Sequence, residues 1–193
     1  ESGSQTMLDI MEKKYTTQDI KDSLFSCIDL DLFVHTTGFM LGMPGESMKT
    51  ARESGKLMGE IAARFGVPVS YIFAHNDMSY AIPLVGTPLY EYGKQLGLIG
   101  QTVDEEEKYL ELVSNVGSYK RYYINFNGAP ISEVLFWDML AWLEATRTYE
   151  KLMKGKKVNE KWKKRFLRKL EVQGRNPHIY DKQKEVRSMG GSQ

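Results

Sequence analysis

Residues 29–75 read DLDLFVHTTGFMLGMPGESMKTARESGKLMGEIAARFGVPVSYIFAH, and the reading of this stretch decides the fold. Leu30, Leu32, Phe33 and Val34 make a nearly unbroken apolar run of the kind expected from a strand covered on both faces, so a first strand is expected over Leu30 to His35. Tyr71, Ile72, Phe73 and Ala74 repeat that pattern and predict a second strand over Val69 to His75. Between them, Met48, Ala51, Met58, Ile61, Ala62 and Phe65 recur at spacings of three and four, with Lys49, Arg52, Glu53, Lys56 and Arg64 mostly on the other side. That is a helix with one buried face. Gly66 stands where such a helix stops in a left-handed residue, and Pro68 discourages continuation. Strand, helix and strand together form a βαβ unit.

A right-handed crossover brings the C-terminal ends of two parallel strands to one edge of the sheet, where open α/β sheets bind their ligands. His35, Thr36 and Thr37 leave the first expected strand at that edge, and His75, Asn76 and Asp77 leave the second. The connection from Thr36 to Gly45 is longer than an ordinary βα loop, and such excess often serves function. Gly42 and Gly45 allow close backbone approach, while Gly45, Glu46 and Ser47 open the helix with outward N–H groups suited to an anion. The glycine spacing is neither the dinucleotide-binding nor the P-loop pattern. Glu46 also places its own negative charge at the positive end of the helix. The apolar residues Phe39, Met40, Leu41 and Met43 offer a second reading, in which the loop folds over the sheet's end as a plug.

From this rim, a catalytic set of His35, His75 and Asp77 is expected, two imidazoles with a carboxylate to orient them or share a ligand. Thr36, Thr37, Gly42, Gly45, Glu46, Ser47 and Asn76 would bind the ligand, an anionic or phosphorylated small molecule. No nucleophile elbow, HExxH or paired CxxC occurs, so no metal site or particular cofactor is assigned. Cys27 is the single cysteine, which excludes an internal disulfide and fits an intracellular, reducing compartment.

The net charge of +1 hides a strong asymmetry. Residues 151–193 hold 14 Lys or Arg against 4 Asp or Glu, leaving 12 basic and 21 acidic residues in 1–150. The expected organisation is therefore an acidic α/β domain over 1–155 and a basic helical C-terminal extension over 156–193. The α/β domain would contain a small, mostly parallel sheet of three or four strands with flanking helices. No apolar stretch is long enough to span a bilayer as a helix.

The remaining chain supplies helix punctuation and a docking candidate. Thr17 to Cys27 reads as a helix entering the first strand. Thr87-Pro88 marks a helix start, and Thr102 with Glu105 forms a capping box ahead of a helix that ends at Gly117. Arg121 to Phe126 is expected to be a third strand closed by Asn127-Gly128. A long helix from Pro130 to Lys154 is apolar over most of its circumference, through Phe136, Trp137, Met139, Leu140, Trp142 and Leu143 among others. It is expected either at the centre of the core or against a partner. Beyond Gly155, Asn159 caps a basic helix whose seam is Trp162, Phe166, Leu167 and Leu170. Residues 1–5 read as a remnant or processed start of no functional weight.

Two functions follow from these patterns. The first is a small-molecule-binding α/β domain, with possible enzyme chemistry at the C-terminal sheet edge. The second is a non-catalytic subunit or adaptor that docks through residues 130–172, onto another copy or a partner protein. The acidic body makes nucleic acid the less favoured partner.

Overall fold

Ser47 starts the element around which the chain packs. Its Oγ accepts from the Thr50 backbone N–H while Thr50 Oγ1 accepts from the Ser47 N–H, a reciprocal cap on the helix Met48–Phe65. Gly66 ends that helix at φ 71°, a left-handed conformation in which an L side chain is strained. The computed structural model describes residues 1–33, 38–73, 78–113 and 123–174. In chain order its elements are α1 (Gln5–Ile10), α2 (Thr17–Asp29), β1 (Phe39–Leu41), α3 (Met48–Phe65), α4 (Val69–Ile72), β2 (Met78–Tyr80), α5 (Pro88–Gln95), α6 (Val103–Val113), α7 (Ile131–Val134), α8 (Trp137–Met153) and α9 (Glu160–Gly174). The protein is mostly helical, with a small parallel sheet.

That sheet has the expected βαβ connectivity and different strands. β1 and β2 pair in parallel, Phe39 with Met78, Met40 with Ser79 and Leu41 with Tyr80, and α3 lies between them in sequence. The expected strand over Leu30 to His35 is not formed at its described residues. The Asp31 N–H donates to the Ile28 carbonyl and the Leu32 N–H to the Cys27 carbonyl, with Asp31 at φ 59°. This is a Schellman termination of α2, with aspartate where glycine is usual. Backbone donors satisfied by the preceding helix have no need of a neighbouring strand, and Leu30 is accordingly 71% exposed.

Val69 to Phe73 departs from expectation in the same way. Val69, Ile72 and Phe73 are buried, but the Phe73 N–H bonds to the Val69 carbonyl, so the apolar run is a helical turn. A short apolar run satisfies either geometry, and length alone did not separate them. In the expected third strand, Tyr123 to Phe126 have no regular structure, and residues 121–122 lie outside the described ones. Two strands, not three or four, are formed among the described residues.

The expected long helix from Pro130 is two helices. It breaks at Leu135 and Phe136, and α8 then buries Trp137, Ala141 and Ala145, one narrow stripe. That stripe meets a row of small residues on α3. A Cβ built on Gly55 would stand 2.1 Å from the Ala141 carbonyl oxygen, and one on Gly59 would stand 2.5 Å from that of Ala145. Only glycine permits the two backbones to approach so closely.

Two aromatic-rich clusters fill the interior. Phe39, Leu57, Met58, Ile61, Phe65 and Phe73 form the first with Trp162 and Phe166 of α9. Leu41, Ala51, Tyr80, Tyr123, Val134 and Trp137 form the second. The Asn159 N–H donates to the Gly66 carbonyl at 2.8 Å, tying the start of α9 to the end of α3. The opening residues belong to the packed structure as well. Ser2 and Ser4 are buried, Ser2 Oγ lies 3.2 Å from Ser54 Oγ, and the Met40 N–H of β1 donates to the Glu1 carbonyl.

Candidate functional site

The first candidate is the C-terminal rim of the parallel pair. Gly42 and Gly45 have φ of 81° and 82°, so the chain leaving β1 turns tightly before α3. Inside this turn the Glu46 carboxylate is only 6% exposed. Its Oε2 accepts from the Gly42 N–H at 2.5 Å, and its Oε1 has no partner among the described residues. Burial raises its pKa from 4.5 to about 7, against the lowering effect of the Gly42 and Met43 backbone donors.

Aromatic side chains close the rim from above. Tyr123 donates its hydroxyl to the Gly42 carbonyl at 2.9 Å and receives the Asn127 side-chain N–H at 3.2 Å. Tyr80 donates to the Val134 carbonyl at 2.8 Å, and the Tyr80 and Tyr123 rings lie 5.2 Å apart. A Cβ on Gly42 would come within 2.4 Å of the Tyr123 ring. The glycine therefore admits a tyrosine of this chain. Ser47 is occupied in capping α3, and an acid, not an anion-binding group, stands beside it. Of the expected ligand-binding residues, the structure thus brings Gly42, Gly45, Glu46 and Ser47 into one turn. His35, Thr36, Thr37, His75, Asn76 and Asp77 lie outside the described residues. Among the described residues, no three His, Cys, Asp or Glu side chains are grouped to hold a metal ion.

The second candidate is the outer face of α8. With Trp137, Ala141 and Ala145 turned towards α3, the helix presents Phe136, Met139 and Leu143, at 52%, 59% and 47% exposure. Beside them runs an open groove of about 340 Å³ between α8 and Met78, lined also by Leu140, Trp142 and Thr146. Asp138 is its one charged lining residue. A single exposed leucine needs no explanation, but three large apolar side chains bordering an apolar groove form a patch of the kind that marks contact sites. On the opposite flank, Glu144 shares a shallow hollow with Lys49, Arg52, Glu53 and Lys56 of α3.

Helix periodicity alone gave α8 no preferred inner face, because apolar residues surround it. The usable signal was the pairing of Gly55-x-x-x-Gly59 with Ala141-x-x-x-Ala145, two small-residue rows that fit only each other and so turn the bulky residues outward.

A third surface is basic. Lys161 and Arg165 of α9 hold Asp31, Arg165 through paired contacts at 2.8 and 3.0 Å, and these cations keep the Asp31 carboxyl below its ordinary range. Lys164 and Arg168 on the same helix stay exposed. No helix among the described residues is long and apolar enough to cross a membrane. Compared with known proteins, the chain matches no family model, no curated protein and no solved structure.

Proposed function

We propose that this chain is a non-catalytic docking subunit, and that the outer face of α8 receives the apolar side of a helix. The observation that carries this reading is the exposed row Phe136, Met139 and Leu143 along the groove that Met78 and Trp142 line. An amphipathic helix laid in a groove engages it through residues spaced three and four apart, which is also the spacing of the exposed row. The fitting helix therefore presents an apolar stripe of its own at that spacing. The basic face of α9 offers the same assembly a second contact.

The test is a titration of a labelled synthetic helix of that design, followed by fluorescence anisotropy. Met139→Glu, which places a charge in the centre of the row, is expected to weaken binding at least tenfold, as losses at an interface hot spot do. Lys164→Glu on α9 serves as a surface control. Equal binding by the wild-type chain and by Met139→Glu would remove α8 as the docking face.

An anion-binding domain, with His35, His75 and Asp77 supplying polar chemistry, is the second reading. Its support is the glycine-bearing turn at Gly42 to Gly45 next to the N-terminus of α3, and the buried Glu46 carboxyl weighs against it. Addition of inorganic phosphate is expected to leave the melting temperature unchanged. A phosphate-dependent rise that is lost in Ser47→Ala would reverse the ranking of the two readings.

A further inference from the structure

We infer that the corner between α8 and α9, residues 151–158, docks the protein on an anionic lipid surface. This goes beyond the docking reading above and does not rest on it, since none of these residues lines the α8 groove. Between Lys151 and Lys157 four of seven residues are lysine and none is acidic. Lys151, Lys154, Lys156 and Lys157 are all exposed. Among the described residues none of the four is ion-paired, whereas Lys161 and Lys163 close by are matched to Asp31 and Glu160. The turn itself projects into open space: Gly155 has φ 76°, and a Cβ built on it would meet nothing within 4 Å.

Helix electrostatics account for only two of these charges. Lys151 in the last turn of α8 and Lys154 at its C-cap stand at the negative end of a helix, where cations are stabilising. Lys156 and Lys157 stand just before the start of α9, the positive end of a helix, where cations are unfavourable. Folding gains nothing from two unpaired lysines at that place, and a negatively charged surface laid against the corner compensates them. Leu152 and Val158 are 41% and 38% exposed in the same stretch. Exposed aliphatic side chains interspersed with lysine are the combination that enters the headgroup layer of an anionic bilayer. A nucleic acid is the less fitting polyanion, because its recognition uses arginine forks on phosphate and aromatic faces for bases. No arginine lies between Lys151 and Lys164, and Trp162 and Phe166 of α9 are buried.

The test is co-sedimentation of the full chain with vesicles of phosphatidylcholine alone and of phosphatidylcholine containing about one quarter phosphatidylserine, at physiological ionic strength. The wild-type chain is expected to pellet with the anionic vesicles and to stay in solution with the neutral ones. Each lysine near an anionic surface strengthens binding about fivefold. The combined variant Lys154→Gln, Lys156→Gln, Lys157→Gln should therefore bind about a hundredfold more weakly, with unchanged circular dichroism because these side chains are exposed. Val158→Ser should weaken binding to the vesicles and leave any binding to a duplex oligonucleotide as it was. Lys49→Gln, which removes an exposed cation of α3, is the charge control and should pellet as the wild type does. A wild-type chain that stays in solution with the anionic vesicles, or a combined variant that pellets equally well, would overturn the inference. So would tighter binding to the duplex than to the vesicles with Val158→Ser silent towards both, which would make the corner a contact for a phosphate backbone. None of these outcomes bears on the synthetic-helix titration, so the two readings stand or fall separately.

Discussion

Glu46 puts a carboxyl group where the fold leaves little room for a charge. In the unfolded chain it titrates near 4.5, and in the folded chain near 7, so the folded chain holds the proton more tightly. The stability it contributes is fully present below the unfolded value and is lost as pH rises through the folded one. The difference of roughly 2.5 units corresponds to about 3 kcal/mol at ~1.4 kcal/mol per unit. Asp19, Asp31 and Glu105 act in the opposite sense, since their hydrogen bonds and cations lower their pKa values and their contribution is lost as pH falls. Denaturant midpoints are therefore expected to decline between pH 5 and pH 8. In Glu46→Gln, which keeps an acceptor for the Gly42 N–H and removes the ionisation, that decline should largely vanish, and the variant should be the more stable protein at pH 8. An equal decline in both proteins would show that Glu46 is not its source. Little of this was visible in the sequence. Glu46 reads there as a first-turn acid serving the helix dipole, and its burial depends on Tyr80 and Tyr123, which arrive from far along the chain.

At the scale of elements, the α3–α8 crossing sets the fold, and glycine sets the crossing. Gly55→Ala should gain about 1 kcal/mol of helix propensity. The added Cβ would meet the Ala141 carbonyl oxygen at 2.1 Å, and forcing the helices apart costs ~3 kcal/mol, the upper end for overpacking. The clash wins, so Gly55→Ala is expected to lose ~2 kcal/mol in urea unfolding. A stabilised variant would mean that the two backbones are not in contact at this point. Helix starts were legible where they are chemical, since Thr87 before Pro88 and Thr102 with Glu105 cap the helices that follow them, whereas the cap of α3 by Ser47 and Thr50 was not read because Ser47 looks in the sequence like a ligand-binding residue. Strands were not. Leu30 to Phe33 and Val69 to Phe73 carry strand-like apolar runs, yet their backbone bonds run within the chain to helical turns. The residues that do pair, Phe39 to Leu41 and Met78 to Tyr80, make strands of only three, too short to declare a period. The βαβ connectivity was legible because α3 is strongly amphipathic, while the strands themselves were placed several residues too early.

For the whole molecule, the question is whether the basic C-terminal region is an appendage or part of the core. Charge divides the sequence sharply near residue 150, and composition alone suggests an acidic body carrying a basic extension. Packing crosses that division. Trp162 and Phe166 are buried, and the Phe65 ring meets theirs edge-on at centroid separations of 4.9 and 5.3 Å. Asn159 is bonded to Gly66, and Asp31 is gripped by Lys161 and Arg165. The ion pairs are exposed and contribute little. The aromatics are a different matter, because truncating one buried Trp or Phe costs ~3–5 kcal/mol and a whole domain has only about 5–15 to lose. Removing everything after residue 155 is therefore expected to leave a chain without a cooperative thermal transition, whereas neutralising Lys161 and Arg165 together should shift the melting temperature by only a few degrees. The truncated chain's near-ultraviolet circular dichroism should collapse as well, as it does where fixed aromatic packing is lost. Were that chain to melt cooperatively near the full-length temperature, the first cluster would have to be complete without α9, and the division marked by charge would be a true domain boundary.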